Sequence, residues 1–116
     1  VVLVRLDASA PEGEAAKTRP AILISNTTHA TRVAISGHGT VIAVPLTSNV
    51  ERVFPFQLEL LDHDTLRTMG LRTPSKAQVE QMRSVSISRV LHVQGRVPGR
   101  VAWQLDELIK LHLSLS

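Results

Sequence analysis

The sequence has no cysteine and no tyrosine, one tryptophan and two phenylalanines, so aromatic residues make up 3% of its 116 positions. Without cysteine, neither a disulfide nor a thiolate metal site can be built, and a reduced cytoplasm is the expected home. So few rings leave little for a surface that stacks nucleobases. No apolar run approaches the ~20 residues of a membrane-spanning helix, which predicts no membrane association. Glycine-rich phosphate loops and the His-Glu-x-x-His pattern are also missing, and no metal or cofactor is expected. No repeat or low-complexity tract divides the chain, and its length suits a single domain over 1–116 that buries a core without staples. It opens on Val1-Val2-Leu3-Val4 with no signal-peptide pattern, which reads as a first strand truncated at its start.

What is present is arginine. The formal charge is +3 and the pI about 10.2, and the thirteen basic residues are ten Arg and three Lys. Arginine's planar fork matches phosphate with two hydrogen bonds and holds its charge in partly dry sites. A net +3 by itself permits a polyanionic partner without requiring one.

The apolar pattern predicts strands in succession. Val1 to Leu6 is the first, and Ala8 to Thr18, with Pro11 and Gly13, is a loop. A second strand runs from Pro20 to Ser25, Pro20 suiting a first position because it has no amide hydrogen. Thr40 to Leu46 reads as a strand buried on both faces, with Pro45 marking a bulge or unpaired position. Val53 to Leu61 places Phe54, Phe56, Leu58 and Leu60 on one face and Gln57 and Glu59 on the other, so the phenylalanines are expected in core or subunit packing. Asp62-His63-Asp64-Thr65 reads as a turn with a helix cap; no further ligand pattern supports a metal there. Ser75 to Val85 is read as one strand and Leu91 to Val97 as a short last one. From Pro98 the period becomes helical, with Val101, Leu105, Leu108 and Leu115 on one stripe, Trp103 off it, and Lys110 as partner of Asp106. The class is α+β, a mostly antiparallel sheet or small open barrel with a C-terminal helix.

Two polar clusters flank the buried strands: Glu14, Lys17, Thr18 and Arg19 before the second, Thr47, Ser48 and Asn49 after the third. Taken alone, Arg19 reads first as a structural ion-pair partner of Glu14, ahead of any catalytic part. If the clusters meet at one rim, an arginine, a threonine hydroxyl and a carboxylate form a phosphoryl site that needs no metal. The five histidines sit in unrelated contexts and read as ordinary residues.

The run G-E-A-A-K-T-R-P-A-I-L-I-S-N (13–26), then V-P-L-T-S-N with V-F-P-F-Q after it, then K-A-Q-V-E-Q-M-R-S-V, then L-D-E-L-I-K-L-H-L resembles the MazF/PemK toxins of toxin–antitoxin systems. The four blocks stand in the family's order and span nearly the whole chain. The resemblance implies an SH3-like barrel with a C-terminal helix, acting as a homodimer. It also implies a sequence-specific, ribosome-independent endoribonuclease on single-stranded RNA, held in check by an antitoxin with an acidic tail. Position by position, the catalytic residues implied are Arg19, Thr47 and Glu14, and the RNA-contacting ones Lys17, Thr18, Ser48, Asn49, Glu80, Gln81 and Arg83. Three features depart from the pattern: Thr18 stands where some members have histidine, Pro74 replaces an aspartate, and the family's opening segment is absent before Val1. The gyrase-poisoning toxin CcdB is the alternative on the same barrel, but its Trp-Gly-Ile ending has no counterpart in Leu113-Ser114-Leu115-Ser116.

Overall fold

A computed structural model describes residues 2–8, 17–24, 32 and 35–115. Strand β1 (Val2–Ala8) is followed by β2 (Lys17–Leu23), β3 (Thr40–Thr47), β4 (Gln57–Leu60), helix α1 (His63–Met69) and β5 (Ser75–Gln78). A 3₁₀ turn at Val79–Gln81 leads to β6 (Arg83–Ser86), a second at Ile87–Arg89 to β7 (Val90–Arg96), and the chain closes on α2 (Gly99–Leu115). Every described ladder is antiparallel. The order is β4-β5-β3-β2-β1-β7, with β6 also on β3. This is the α+β class, an SH3-like sheet with a terminal helix.

The larger departures from the sequence pattern come from strand pairing in two places and from a side-chain-closed turn in a third. Strand β2 starts at Lys17 rather than Pro20, because β1 continues to Ala8 and offers Ala8, Asp7 and Leu6 as partners for Lys17, Thr18 and Arg19. Pro20 is tolerated inside the strand because the ladder to β3 begins only at Ala21, opposite Pro45. The predicted strand over 75–85 is two strands. Both lie along β3, β6 against Thr40–Ala43 and β5 against Leu46–Thr47. The 3₁₀ turn between them departs from the ladder opposite Val44 and Pro45, so the unpaired position expected at Pro45 falls on that side. Strand β4 is only Gln57–Leu60, because Gln57 N–H donates to the Phe54 carbonyl (2.9 Å) and its side-chain Oε1 accepts from Phe54 N–H (3.1 Å), closing a turn. Gln57 is buried and Phe54 and Phe56 are exposed, the reverse of the expected faces.

Burial on both faces holds at the centre of the sheet. Ile22 and Val44 join Leu46, Leu60, Met69, Ala77, Val101 and Leu105 on one side, while Ala21 and Ala43 join Val41 and Val85 on the other. Towards its start β3 instead alternates, with Thr40 and Ile42 exposed. Helix α2 lays Val101 and Leu105 on the core and leaves Trp103 outside, as its period predicts. Its Lys110 pairs with Glu107 at 3.7 Å and not with Asp106.

Helix α1 is anchored at both ends. Asp62 caps its start, accepting from Thr65 N–H (3.1 Å) and Thr65 Oγ1 (3.0 Å). Gly70 ends it in the left-handed region at φ 78°, which glycine adopts without strain. The end of α1 passes so close to β7 that a Cβ on Gly95 would collide with the Met69 carbonyl, and one on Gly70 would lie 2.7 Å from the Gln94 carbonyl. Among the described residues, no helix is long and apolar enough to cross a membrane.

Candidate functional site

The approach of α1 to β7 opens a groove of about 870 Å³ across the ends of β2 and β3. Arg19 and Pro20 of β2 form one wall, with Leu46, Thr47 and the following Ser48 beside them. The segment after α1 (Gly70 to Thr73, with Ser75) and His92 and Gln94 of β7 complete it. Arg19 is exposed, held in a strand rather than at a loop junction, with Leu6 as its ladder partner. Thr47, the last residue of β3, is half-buried; its Oγ1 accepts from Asn49 N–H (3.2 Å) and keeps its own proton to donate. Gln94 Nε2 donates to the Gly70 carbonyl at 2.5 Å, tying the wall that carries Arg72 and Thr73 to β7. The Ser75 hydroxyl donates to the Thr73 carbonyl (3.0 Å), bracing the same wall.

Of the residues named from sequence, Arg19, Thr47 and Ser48 come together. Asn49 does not line the groove; its Oδ1 accepts from Glu51 N–H (3.3 Å) and shapes the turn. Glu80 is also elsewhere: its Oε2 accepts from Gln57 Nε2 (2.6 Å), which makes it a brace for the Phe54 turn. Its Oε1 is buried without a partner. Gln81 and Arg83 are exposed and line no part of the groove. Gln81 ends the 3₁₀ turn and Arg83 begins the strand after it, a break that a single straight strand over 75–85 does not contain. Glu14 and the side chains of Lys17 and Thr18 lie outside the described residues.

Sequence reasoning missed Arg72, His92 and Gln94. The groove's described ionisable groups are Arg19, Arg72 and His92, so it is a cationic cleft with hydroxyls at its floor and one imidazole. Such a set can grip a phosphate by two guanidinium forks, donate further hydrogen bonds to its oxygens and move a proton. The one available signal was a pair of facing glycines, Gly70 and Gly95, whose close approach brings α1 and β7 together. Among the described residues, no cluster of His, Asp and Glu is placed to hold a metal ion.

The sequence model of the PemK-like, MazF-like toxins of type II toxin–antitoxin systems matches residues 1–113. The chain belongs to this family. It is 42% identical over 102 residues to Endoribonuclease MazF9 of Mycobacterium tuberculosis (strain ATCC 25618 / H37Rv), a match covering 88% of this chain and 83% of that protein. Its fold superimposes on a MazE–MazF crystal structure from Deinococcus radiodurans with a TM-score of 0.73 at 22% identity, over 99% of this chain and 94% of that one. A mycobacterial endoribonuclease in complex with its cognate antitoxin gives 0.72 at 16% identity, over 99% and 93%.

Proposed function

We propose that this toxin is a sequence-specific endoribonuclease that cleaves single-stranded RNA without a metal. The observation that carries the reading is that Arg19 and Thr47, brought from two strands, line one cationic groove. The ribose 2′-oxygen attacks the adjacent phosphorus, the bond from phosphorus to the 5′-oxygen breaks, and the products are a 2′,3′-cyclic phosphate and a 5′-hydroxyl. Arg19 donates to the non-bridging oxygens as their charge grows, with Thr47 and Ser48 adding donors and Arg72 a second cation. Glu14 takes the proton of the 2′-hydroxyl. His92 delivers one to the departing 5′-oxygen, a duty an imidazole performs near neutral pH.

Arg19→Ala and Thr47→Ala, assayed on a long RNA with EDTA present, are each expected to lose about 10²- to 10³-fold in cleavage rate while sedimenting like the wild type. Full activity in either variant overturns the assignment. Inhibition of DNA gyrase by a wild type that leaves RNA intact would instead support the CcdB-like alternative. The same reading makes the chain a single toxin domain that works in the cytoplasm as a homodimer. A cognate antitoxin, through an acidic tail, then competes with RNA for the groove.

A further inference from the structure

Three independent observations single out Gln94. The ladder of β1 on β7 pairs Leu3 with Gly95 and Val4 with Val93, so Gln94 is an extra residue with no partner across the strands, a β-bulge. A bulge is a device for re-aiming a side chain. The amide so aimed leaves β7 altogether, and its Nε2 donates to the Gly70 carbonyl (2.5 Å). Its other end is left over: Oε1 is buried and has no donor among the described residues. A buried acceptor without a donor lowers stability, and a leucine in its place would avoid that loss. Gly70 is exposed, so water can serve its carbonyl if the amide does not. The bond therefore adds little to the stability of the fold, and its value lies in where it holds Gly70.

The chain after Gly70 shows what is held. Residues 71–74 belong to no helix or strand, and the N–H groups of Gly70 and Leu71 bond back to Arg67 and Leu66 of α1 (3.1 and 2.8 Å). The Ser75 hydroxyl braces Thr73 from the other side. None of these bonds reaches β7; the Gln94 amide does. Arg72 stands two residues beyond the carbonyl it holds, His92 stands two residues before Gln94, and all three line the groove. The geometry points to Gln94 as a positioning residue that, by holding the Gly70 carbonyl, fixes the span between Arg72 and His92. The cation that grips the phosphate and the imidazole that serves the departing oxygen then meet the same phosphodiester. This inference rests on the RNA-cleaving reading of the groove and goes beyond it: Gln94 moves no proton and acts through Arg72. A residue that serves function at the expense of stability gives opposite signs in the two when it is replaced.

Gln94→Leu in the full chain tests it, since leucine keeps the bulk and removes both the donor and the orphan oxygen. Cleavage of a long RNA is expected to fall about tenfold while the urea midpoint stays at or above that of the wild type. Added to Arg72→Ala, Gln94→Leu is expected to cause no further loss, because the residue it positions is gone. Nitrogen-15 relaxation reads the tie without any RNA: order parameters at Leu71, Arg72 and Thr73 are expected to fall from about 0.85 to below about 0.6, with those of β1 and α2 unchanged. Unchanged order parameters overturn the inference, and so do full activity or losses that multiply in the double variant. A loss of cleavage matched by a lowered midpoint makes Gln94 merely structural and overturns it as well. If Gln94→Leu does not fold, Gln94→Glu, which keeps the shape and exchanges the donor for an acceptor, is held to the same activity, double-variant and relaxation outcomes. A wild type that leaves RNA intact overturns the nuclease reading alone, and the relaxation data then decide the tie by themselves.

Discussion

At the scale of single residues, the site depends on what each group can donate. A guanidinium donates and does not accept, so in the proposed reaction Arg19 stabilises charge while the protons are moved by others. The division of labour between Glu14 and His92 has a separable consequence. A substrate with sulfur in place of the bridging 5′-oxygen departs as a thiolate and needs no proton. His92→Ala is expected to lose about 10²-fold or more on ordinary RNA and most of that loss is expected to vanish on the sulfur substrate, whereas Glu14→Gln stays impaired on both. Single-turnover rates on the two substrates decide it. Asp62 gives a prediction of another kind. Its carboxyl is held below its ordinary 3.8, first by the Thr65 N–H, then by the Thr65 hydroxyl, with the charges of Arg100 and His63 adding to the effect. A carboxylate lowered on folding contributes stability that is complete above 3.8 and lost as pH falls through the folded value. Urea midpoints measured from pH 5 downward should fall less steeply for Asp62→Asn, which keeps a capping side chain that cannot titrate. Residue types and motif order make Arg19 and Thr47 legible in the sequence. Arg72 and His92 are not, because a lone arginine after a helix or a lone histidine on a strand carries no local mark.

At the scale of elements, the approach of α1 to β7 builds the groove's far wall. Gly95→Ala places a methyl against the Met69 carbonyl, a backbone atom that cannot rotate aside. We expect a loss of about 2 kcal/mol or more in stability, read by denaturant titration, with cleavage falling in parallel as the Arg72 wall shifts. The strand pattern reached the order of the elements, with six strands where the described residues form seven. It failed at ends and interruptions: the start of β2, the short β4 and the break between β5 and β6. Each depends on a neighbouring strand or on one side chain, Gln57, that closes a turn. Period and propensity describe one segment at a time and contain no partner.

At the scale of the whole molecule, the core and the charge make independent predictions. Leu105 is 1% exposed where α2 meets the sheet, and Leu105→Ala is expected to cost about 2–5 kcal/mol. That is a large share of the ~5–15 kcal/mol typical of a domain. Calorimetry of the variant checks it. Binding of single strands should weaken with salt, with a slope of log affinity on log salt of about −1.4 to −2.1 for two or three arginines at ~0.7 each. Arg72→Ala should reduce that slope by about 0.7.

The sequence by itself determined the family, the α+β class, the helix from Pro98 and the two residues at the heart of the proposed chemistry. Those follow from local periods, from side-chain chemistry and from motifs in a set order. Only the tertiary structure decided that Arg72, His92 and Gln94 join Arg19 and Thr47, that Glu80 serves as a brace, and that Phe54 and Phe56 stack on the surface instead of entering the core. These outcomes rest on two backbones meeting at Gly70 and Gly95 and on β3 exchanging partners at Pro45, contacts between segments far apart in the chain that no local pattern encodes.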